Sequence, residues 1–223
     1  MNTGTMARRF DLIVFDWDGT LMDSTQAIVA AIQGAARDLG LPEPPVERAS
    51  HIIGLGLVDA LMHALPDLPR ERYRDVAERY RHHYLSRDHE LSLFDGAEAL
   101  LDQLSAAGHV LAVATGKSRA GLERALDHSG VRSRFFATRC ADECHSKPHP
   151  QMLEELMQES GASPERTLMI GDTSHDLQMA IAAGTDAVAV SYGAHPREQL
   201  VALSPLYCAS NVGELAAWLT THG

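Results

Sequence analysis

The sequence predicts an α/β protein, a parallel sheet covered by helices, with a helical segment inserted after the first strand. Three observations predict it. Four short apolar runs, at residues 12–16 (LIVFD), 110–115 (VLAVAT), 167–172 (TLMIGD) and 187–192 (AVAVSY), are continuous rather than alternating, as in strands buried on both faces. Helix-length segments separate the last three, and that alternation makes parallel strands. Residues 24–93 break the rhythm with helical patterning and no strand run.

Taken in order, residues 12–16 make the first strand. In the insertion, Ala27, Ile28, Ala31, Ile32, Ala35, Ala36 and Leu39 fall on one helical face. A proline-rich break at 41–46 follows, then helical stretches at 57–65 and 70–87. About 70 residues of this kind suit a small second domain. The chain then rejoins the sheet near Phe94, with helices at 97–107 and 119–128 flanking the second strand. A weaker run at 135–139 is an outer-strand candidate. Helices at 151–160 and 177–183 flank the third strand. Gly108, Gly130, Gly161 and Gly184 stand where helix C-termini favour glycine.

With 223 residues, the chain has room for one large domain, or a core with a modest insertion, without disulfide or metal staples. Its charge of −11, from 19 basic and 30 acidic residues, argues against nucleic acid or anionic lipid as a partner. No stretch approaches the roughly 18 apolar residues of a spanning helix. The start, MNTGTMARRF, lacks the apolar core of a secretory signal, and three unevenly spaced cysteines read as reduced thiols, so a cytoplasmic location is expected. Cys140, Cys144, His145 and His149 look zinc-like, but all four crowd into one short stretch with no second knuckle, which disfavours structural zinc.

In open parallel sheets, ligands bind beyond the carboxyl ends of the strands. Those ends carry Asp16, Asp18, Gly19 and Thr20, then Thr115, Gly116 and Lys117, then Asp172 with Asp176 four residues on. Lys147-Pro148 precedes the helix feeding the third strand. A lone aspartate there is commonly only a helix cap. Three polar ends on one rim imply more. Clustered carboxylates need a divalent cation, and oxygen ligands favour Mg²⁺. The Thr115 hydroxyl and the backbone N–H groups after it suit phosphate oxygens, and Lys147 supplies a compact positive charge. Together these describe phosphoryl transfer through an aspartyl-phosphate. A Walker loop is the competitor, because residues 116–118 read GKS, but Leu111 stands where that loop needs glycine.

The order Asp16-x-Asp18-Gly19-Thr20, Thr115, Lys147-Pro148 and Gly171-Asp172 with Asp176 resembles the haloacid dehalogenase superfamily. The insertion resembles the cap of its phosphoglycolate-phosphatase-like subgroup. The resemblance implies a Rossmann-like core of residues 1–23 and 94–223, with the first strand central, under a helical cap of residues 24–93. It implies Asp16 as nucleophile and Asp18 as the acid that protonates the leaving alcohol and then activates water. Mg²⁺ would sit on the Asp16 and Asp172 carboxylates and the Asp18 carbonyl, with Asp176 supporting its water shell. Phosphate would be held at Asp16, Asp18, Thr115, Gly116 and Lys147. The loop Gly54-Leu55-Gly56 looks like the family's substrate-specificity loop, although its glycines equally suit a plain turn.

Asp18 separates the chain from the family's dehalogenases, which lack an acid there. The absence of lysine from residues 24–93 separates it from the phosphonate hydrolases, which need one for a Schiff base. The expected activity is Mg²⁺-dependent hydrolysis of a small phosphorylated metabolite, phosphoglycolate-like, by a monomer or homodimer. Two alternatives remain. A sugar phosphomutase of the same family would need a second phosphate site, for which Arg48 is a cationic candidate. A receiver-type signalling module also forms aspartyl-phosphate, but its acidic pair precedes the phosphorylated residue and it has no lid. Trp17 and Asp95-Gly96 depart from the family's commoner residues. Lys117 and Lys147 are the only lysines beside 17 arginines. Lys147 has a motif position; Lys117 is a rim charge or a solvated loop lysine.

Overall fold

A computed structural model describes residues 9–223, so part of the N-terminal stretch weighed above lies outside the described residues. Its strands are β1 (Leu12–Phe15), β2 (Val110–Thr115), β3 (Ala137–Cys140), β4 (Thr167–Gly171), β5 (Asp186–Val190) and β6 (Tyr207–Ala209). They form one parallel sheet in the order β3-β2-β1-β4-β5-β6. Leu12 registers with Val110 on one side and Thr167 on the other. The first strand is therefore interior, and every residue of β1 and β4 is buried.

Strand periodicity sorts these residues between two apolar layers. Ile13, Phe15, Leu111 and Val113 face a cluster completed by α5 (Ala97–Ala106), α6 (Arg119–Ser129) and α10 (Val212–His222). Leu12, Val14, Ala112 and Ala114 face the other way, against α7 (Gln151–Ser160) and α8 (Ser174–Ala183). The glycines end helices as expected: Gly130, Gly161 and Gly184 are left-handed, with φ of 71–75°. Trp17, fully buried, packs edge-on against Phe135 at 6.3 Å in the first layer, so it belongs to the core and does not line the site.

The insertion carries α1 (Thr25–Asp38), α2 (Val46–His51), α3 (Leu57–Ala64) and α4 (Tyr73–Leu85). These helices bury an apolar cluster of their own, with Ile28, Ile32, Leu61 and Val76 in it. Within α1, Gly34 lets the two long helices approach: a Cβ there would sit 2.9 Å from the His83 ring. The outgoing and returning chains run side by side, Asp23 N–H donating to Ser92 O (3.0 Å) and Phe94 N–H to Leu21 O (2.9 Å).

Four elements go beyond the sequence reading. Helix α2 follows the proline break directly, and α9 (Arg197–Val201), β6 and α10 complete the far side of the sheet. The three residues of β6 are too few to show a strand pattern. Helix α8 starts at Ser174 rather than 177, because Thr173 and Asp176 form a reciprocal capping box.

Candidate active site

The order of the sheet creates a crevice. After β1 the chain builds outward to β2 and β3, then returns to place β4 on the opposite side of β1. Connections leave β1 and β4 in opposite directions, opening a gap at their carboxyl ends where ligands bind in such sheets. Asp16 follows β1, its N–H still donating to Ile170 O of β4 (2.9 Å), and Asp172 follows β4.

Asp16, Asp172 and Asp176 are each 0% exposed, with one carboxylate oxygen apiece all within 4.8 Å of one another. Lys147 Nζ is the counter-charge, 2.8 Å from Asp16 Oδ1 and 2.6 Å from Asp176 Oδ1. Its contact with Asp16 is an ion pair off the hydrogen-bond direction, and neither oxygen of Asp16 accepts a hydrogen bond from the described residues. Burial pushes the Asp16 carboxyl up to about 7, against the pull of Lys147 and with the help of Asp176 and Asp18. Burial and the neighbouring Asp16 and Asp176 also hold the Asp172 carboxyl well above the usual range. Such a set, short of positive charge, with two orphaned buried oxygens, fits a divalent cation.

The three carboxylates are not equivalent. Asp176 is fully committed, Oδ1 to Lys147 and Oδ2 to the N–H (3.0 Å) and hydroxyl (2.7 Å) of Thr173. Asp172 is aligned by Thr20 Oγ1 (2.9 Å) and the Ala194 N–H (2.7 Å), one donor on each oxygen. A cation would thus rest on Asp16 and Asp172, with Asp176 holding Lys147 beside them. Glycine is needed on both flanks, since a Cβ at Gly19 or Gly193 would come within 2.2 Å of Asp172 Oδ2.

Asp18 stands apart from that cluster. Ser24 Oγ donates to its Oδ1 (2.7 Å), and Lys117 Nζ lies 2.9 and 3.1 Å from its two oxygens. Thr115, fully buried, accepts the Lys117 N–H at its hydroxyl (3.2 Å). Lys117 is not a solvated loop lysine: its side chain is 10% exposed and reaches the Tyr84 hydroxyl at 2.9 Å. Burial opposes its charge most strongly, but Asp18, Tyr84 and Tyr80 together keep it protonated beyond an ordinary lysine.

The loop Gly54-Leu55-Gly56 descends onto this rim. A Cβ at Gly54, where φ is +88°, would lie 3.3 Å from Thr173 Oγ1 and 3.9 Å from Asp16 Oδ2. One at Gly116 would strike Gly54 O at 2.5 Å. The Gly56 N–H donates to Ser146 Oγ (2.9 Å). Beside the loop, the His51 carbonyl faces His175 Nε2 (2.8 Å) and His195 Nε2 (3.2 Å). His195 Nδ1 accepts the Ser174 N–H (3.0 Å), so both its ring nitrogens are engaged and the three histidines join the helices to the sheet.

Known proteins resemble this chain in sequence and in fold. A profile described as haloacid dehalogenase-like hydrolase matches residues 13–190, from β1 through β5. The chain belongs to the haloacid dehalogenase-like hydrolase family. It is 37% identical to the probable phosphatase IndB of Dickeya dadantii, covering 92% of this chain and 91% of that one. It is 30% identical to a 5'-nucleotidase of Pseudomonas aeruginosa (97% and 98% covered) and 33% identical to a phosphoglycolate phosphatase of Aliivibrio fischeri (82% and 84%). The crystal structure of a hydrolase from Pseudomonas syringae superimposes with a TM-score of 0.87 at 22% identity, over 95% of this chain and 98% of that one, and shows the same fold.

Within this family fold the structure gathers Asp16, Asp18, Thr115, Gly116, Lys147, Asp172, Asp176 and the 54–56 loop at one crevice. Arg48 is exposed on α2. Ser24, Ser146, Ala194 and Tyr84 were not singled out from sequence, and Thr20 was named there as part of the motif without its part in aligning Asp172. Ser24 lies six residues after Asp18, and a search for local hydroxyl donors would have found it. Tyr84 lies 33 residues from Lys117, and no local pattern marks it.

Proposed function

We propose that the protein is a Mg²⁺-dependent phosphomonoester hydrolase acting on a small phosphorylated metabolite through an aspartyl-phosphate at Asp16. The observation that carries this is Asp16 itself. It is buried at the crevice with both oxygens free of hydrogen bonds, Lys147 at 2.8 Å and Asp172 adjacent, so one oxygen can meet a cation and the other a phosphorus atom.

The residues divide the work. An Asp16 oxygen attacks phosphorus, and the ester oxygen leaves with the proton that Asp18 holds. Water then attacks the same phosphorus while Asp18 takes its proton, releasing inorganic phosphate and restoring the Asp16 carboxylate. Lys147 donates to Asp176 and lies against Asp16 as an ion pair, which leaves N–H groups for a phosphoryl oxygen. The Thr115 hydroxyl and the Gly116 N–H suit the remaining oxygens. Mg²⁺ would be held by Asp16, Asp172 and the Asp18 carbonyl, and would supply the positive charge that lets carboxylates and phosphate share one site. Residues 24–93 act as a cap, and the 54–56 loop bears on the leaving group. Backbone so close above Asp16 favours small esters, in keeping with the family's phosphoglycolate phosphatases.

The test is phosphate release from p-nitrophenyl phosphate, then from phosphoglycolate, hexose phosphates and nucleoside monophosphates. Release should require Mg²⁺ and fall by about 10³-fold or more in Asp16→Asn. Wild-type turnover in that variant would refute the mechanism. Conversion of a hexose 1-phosphate to its 6-phosphate without release would replace hydrolase by mutase.

A further inference from the structure

Lys117 invites comparison with Lys147, because an ammonium group has three N–H donors. Lys147 donates one to Asp176 and lies against Asp16 as an ion pair. Lys117 has three acceptors in reach of Nζ: Asp18 Oδ1 at 2.9 Å, Asp18 Oδ2 at 3.1 Å and the Tyr84 hydroxyl at 2.9 Å. It has no donor left for a phosphate oxygen. Its stem is anchored too, the backbone N–H bonding to Thr115 and the ammonium lying 4.6 Å from the centre of the Tyr84 ring. With Ser24 at 2.7 Å, the Asp18 carboxylate is held by three contacts from two groups.

The parts of this clamp come from two units. Asp18 and Lys117 lie at the sheet's carboxyl edge, and Ser24 beside them at the first residue of the insertion. Tyr84 belongs to the last turns of α4, in the inserted helices, where it stacks on Tyr80 at 5.9 Å. Tyr84 is what the inserted helices contribute to fixing this flexible side chain, beside the two contacts from Asp18.

We propose that Lys117 is a positioning residue that orients the Asp18 carboxylate for proton transfer, and that Tyr84 completes it only when the inserted helices are seated on the sheet. This rests on the reading of Asp18 as the acid and base. Lys117 then acts through Asp18 and touches no phosphate, and seating of the helices fixes the Asp18 carboxylate at the moment the site is covered.

The test compares Lys117→Met and Tyr84→Phe with wild type on an alkyl phosphate and on 2,4-dinitrophenyl phosphate, whose leaving group needs no proton. Lys117→Met should lose about 10²-fold in kcat on the alkyl ester, within the usual range for acid–base catalysis. Its KM and its inhibition by vanadate should stay within about threefold, as for a group that binds no phosphate. With the activated ester it should show a burst of phenol, because phosphorylation proceeds while hydrolysis of the acyl-phosphate waits on a misplaced Asp18. Tyr84→Phe keeps the ring and so the packing; it should lose kcat in the same pattern by about three- to tenfold. Equal losses on both esters with vanadate inhibition weakened in step would make Lys117 a phosphate ligand and overturn the proposal. Wild-type turnover in both variants would overturn it as well. Asp18→Asn separates the failures: if it is inactive while Lys117→Met is unimpaired, positioning alone fails, and if it too is fully active, the reading of Asp18 fails.

Discussion

At Asp16, burial and chemistry are coupled in a way that can be read by titration. Its carboxyl is raised to about 7 from an ordinary 3.8, chiefly by burial. A carboxyl raised on folding contributes its full stability below the unfolded value and loses it as pH climbs through the folded one, so the metal-free protein is weakened at Asp16 between about pH 4 and pH 7. A cation binds the ionised form and reverses that loss. The rise in melting temperature on adding Mg²⁺ should therefore grow from about pH 5 to about pH 8, reaching roughly 2.7 kcal/mol of stabilisation at Mg²⁺ a hundredfold above its Kd. Differential scanning calorimetry checks this, and a shift of equal size at both pH values would count against Asp16 as a ligand. These carboxylates were legible in the sequence because each closes or follows an apolar run. Lys117 was legible only as a residue: its function depends on Tyr84, which no local spacing connects to it.

Among the elements, the turn leaving β2 and the loop before α3 constrain each other. A side chain at Gly116 would meet backbone atoms, Gly54 O at 2.5 Å and Leu55 O at 2.6 Å, and backbone cannot swing aside as a side chain can. Gly116→Ala should therefore lift the 54–56 loop from the site. We expect kcat/KM to fall at least tenfold, about 1.4 kcal/mol, with the loss shared between kcat and KM. Unchanged kinetics would show that the loop does not bear on catalysis. Most elements announced themselves, β1, β2, β4 and β5 by continuous apolar runs; α8 was read only from Leu177, although Thr173 and Asp176, three residues apart, cap it at Ser174. Strand β6 did not, because three residues containing one tyrosine and one cysteine show neither period, and it exists through pairing with β5.

For the molecule as a whole, the inserted helices, with an apolar cluster of their own, meet the sheet along a seam that carries polar contacts between distant residues. Gly56 and Ser146 are 90 apart in sequence, His51 and His195 144 apart. Sequence patterns record burial and turns, not which distant surfaces touch, so the insertion was foreseen and its seat was not. That seat places backbone over Asp16, Tyr84 against Lys117, and two histidines on one carbonyl. No helix of the described residues is long and apolar enough to cross a membrane. All these arrangements converge on one claim, that phosphate passes through Asp16. Rapid mixing of wild type and Asp18→Asn with Mg²⁺ and 2,4-dinitrophenyl phosphate, quenched into borohydride, tests it directly, because borohydride reduces an aspartyl-phosphate to homoserine. Peptide mass spectrometry should find homoserine at position 16, more of it in Asp18→Asn; an unmodified Asp16 in both proteins during turnover would contradict the mechanism.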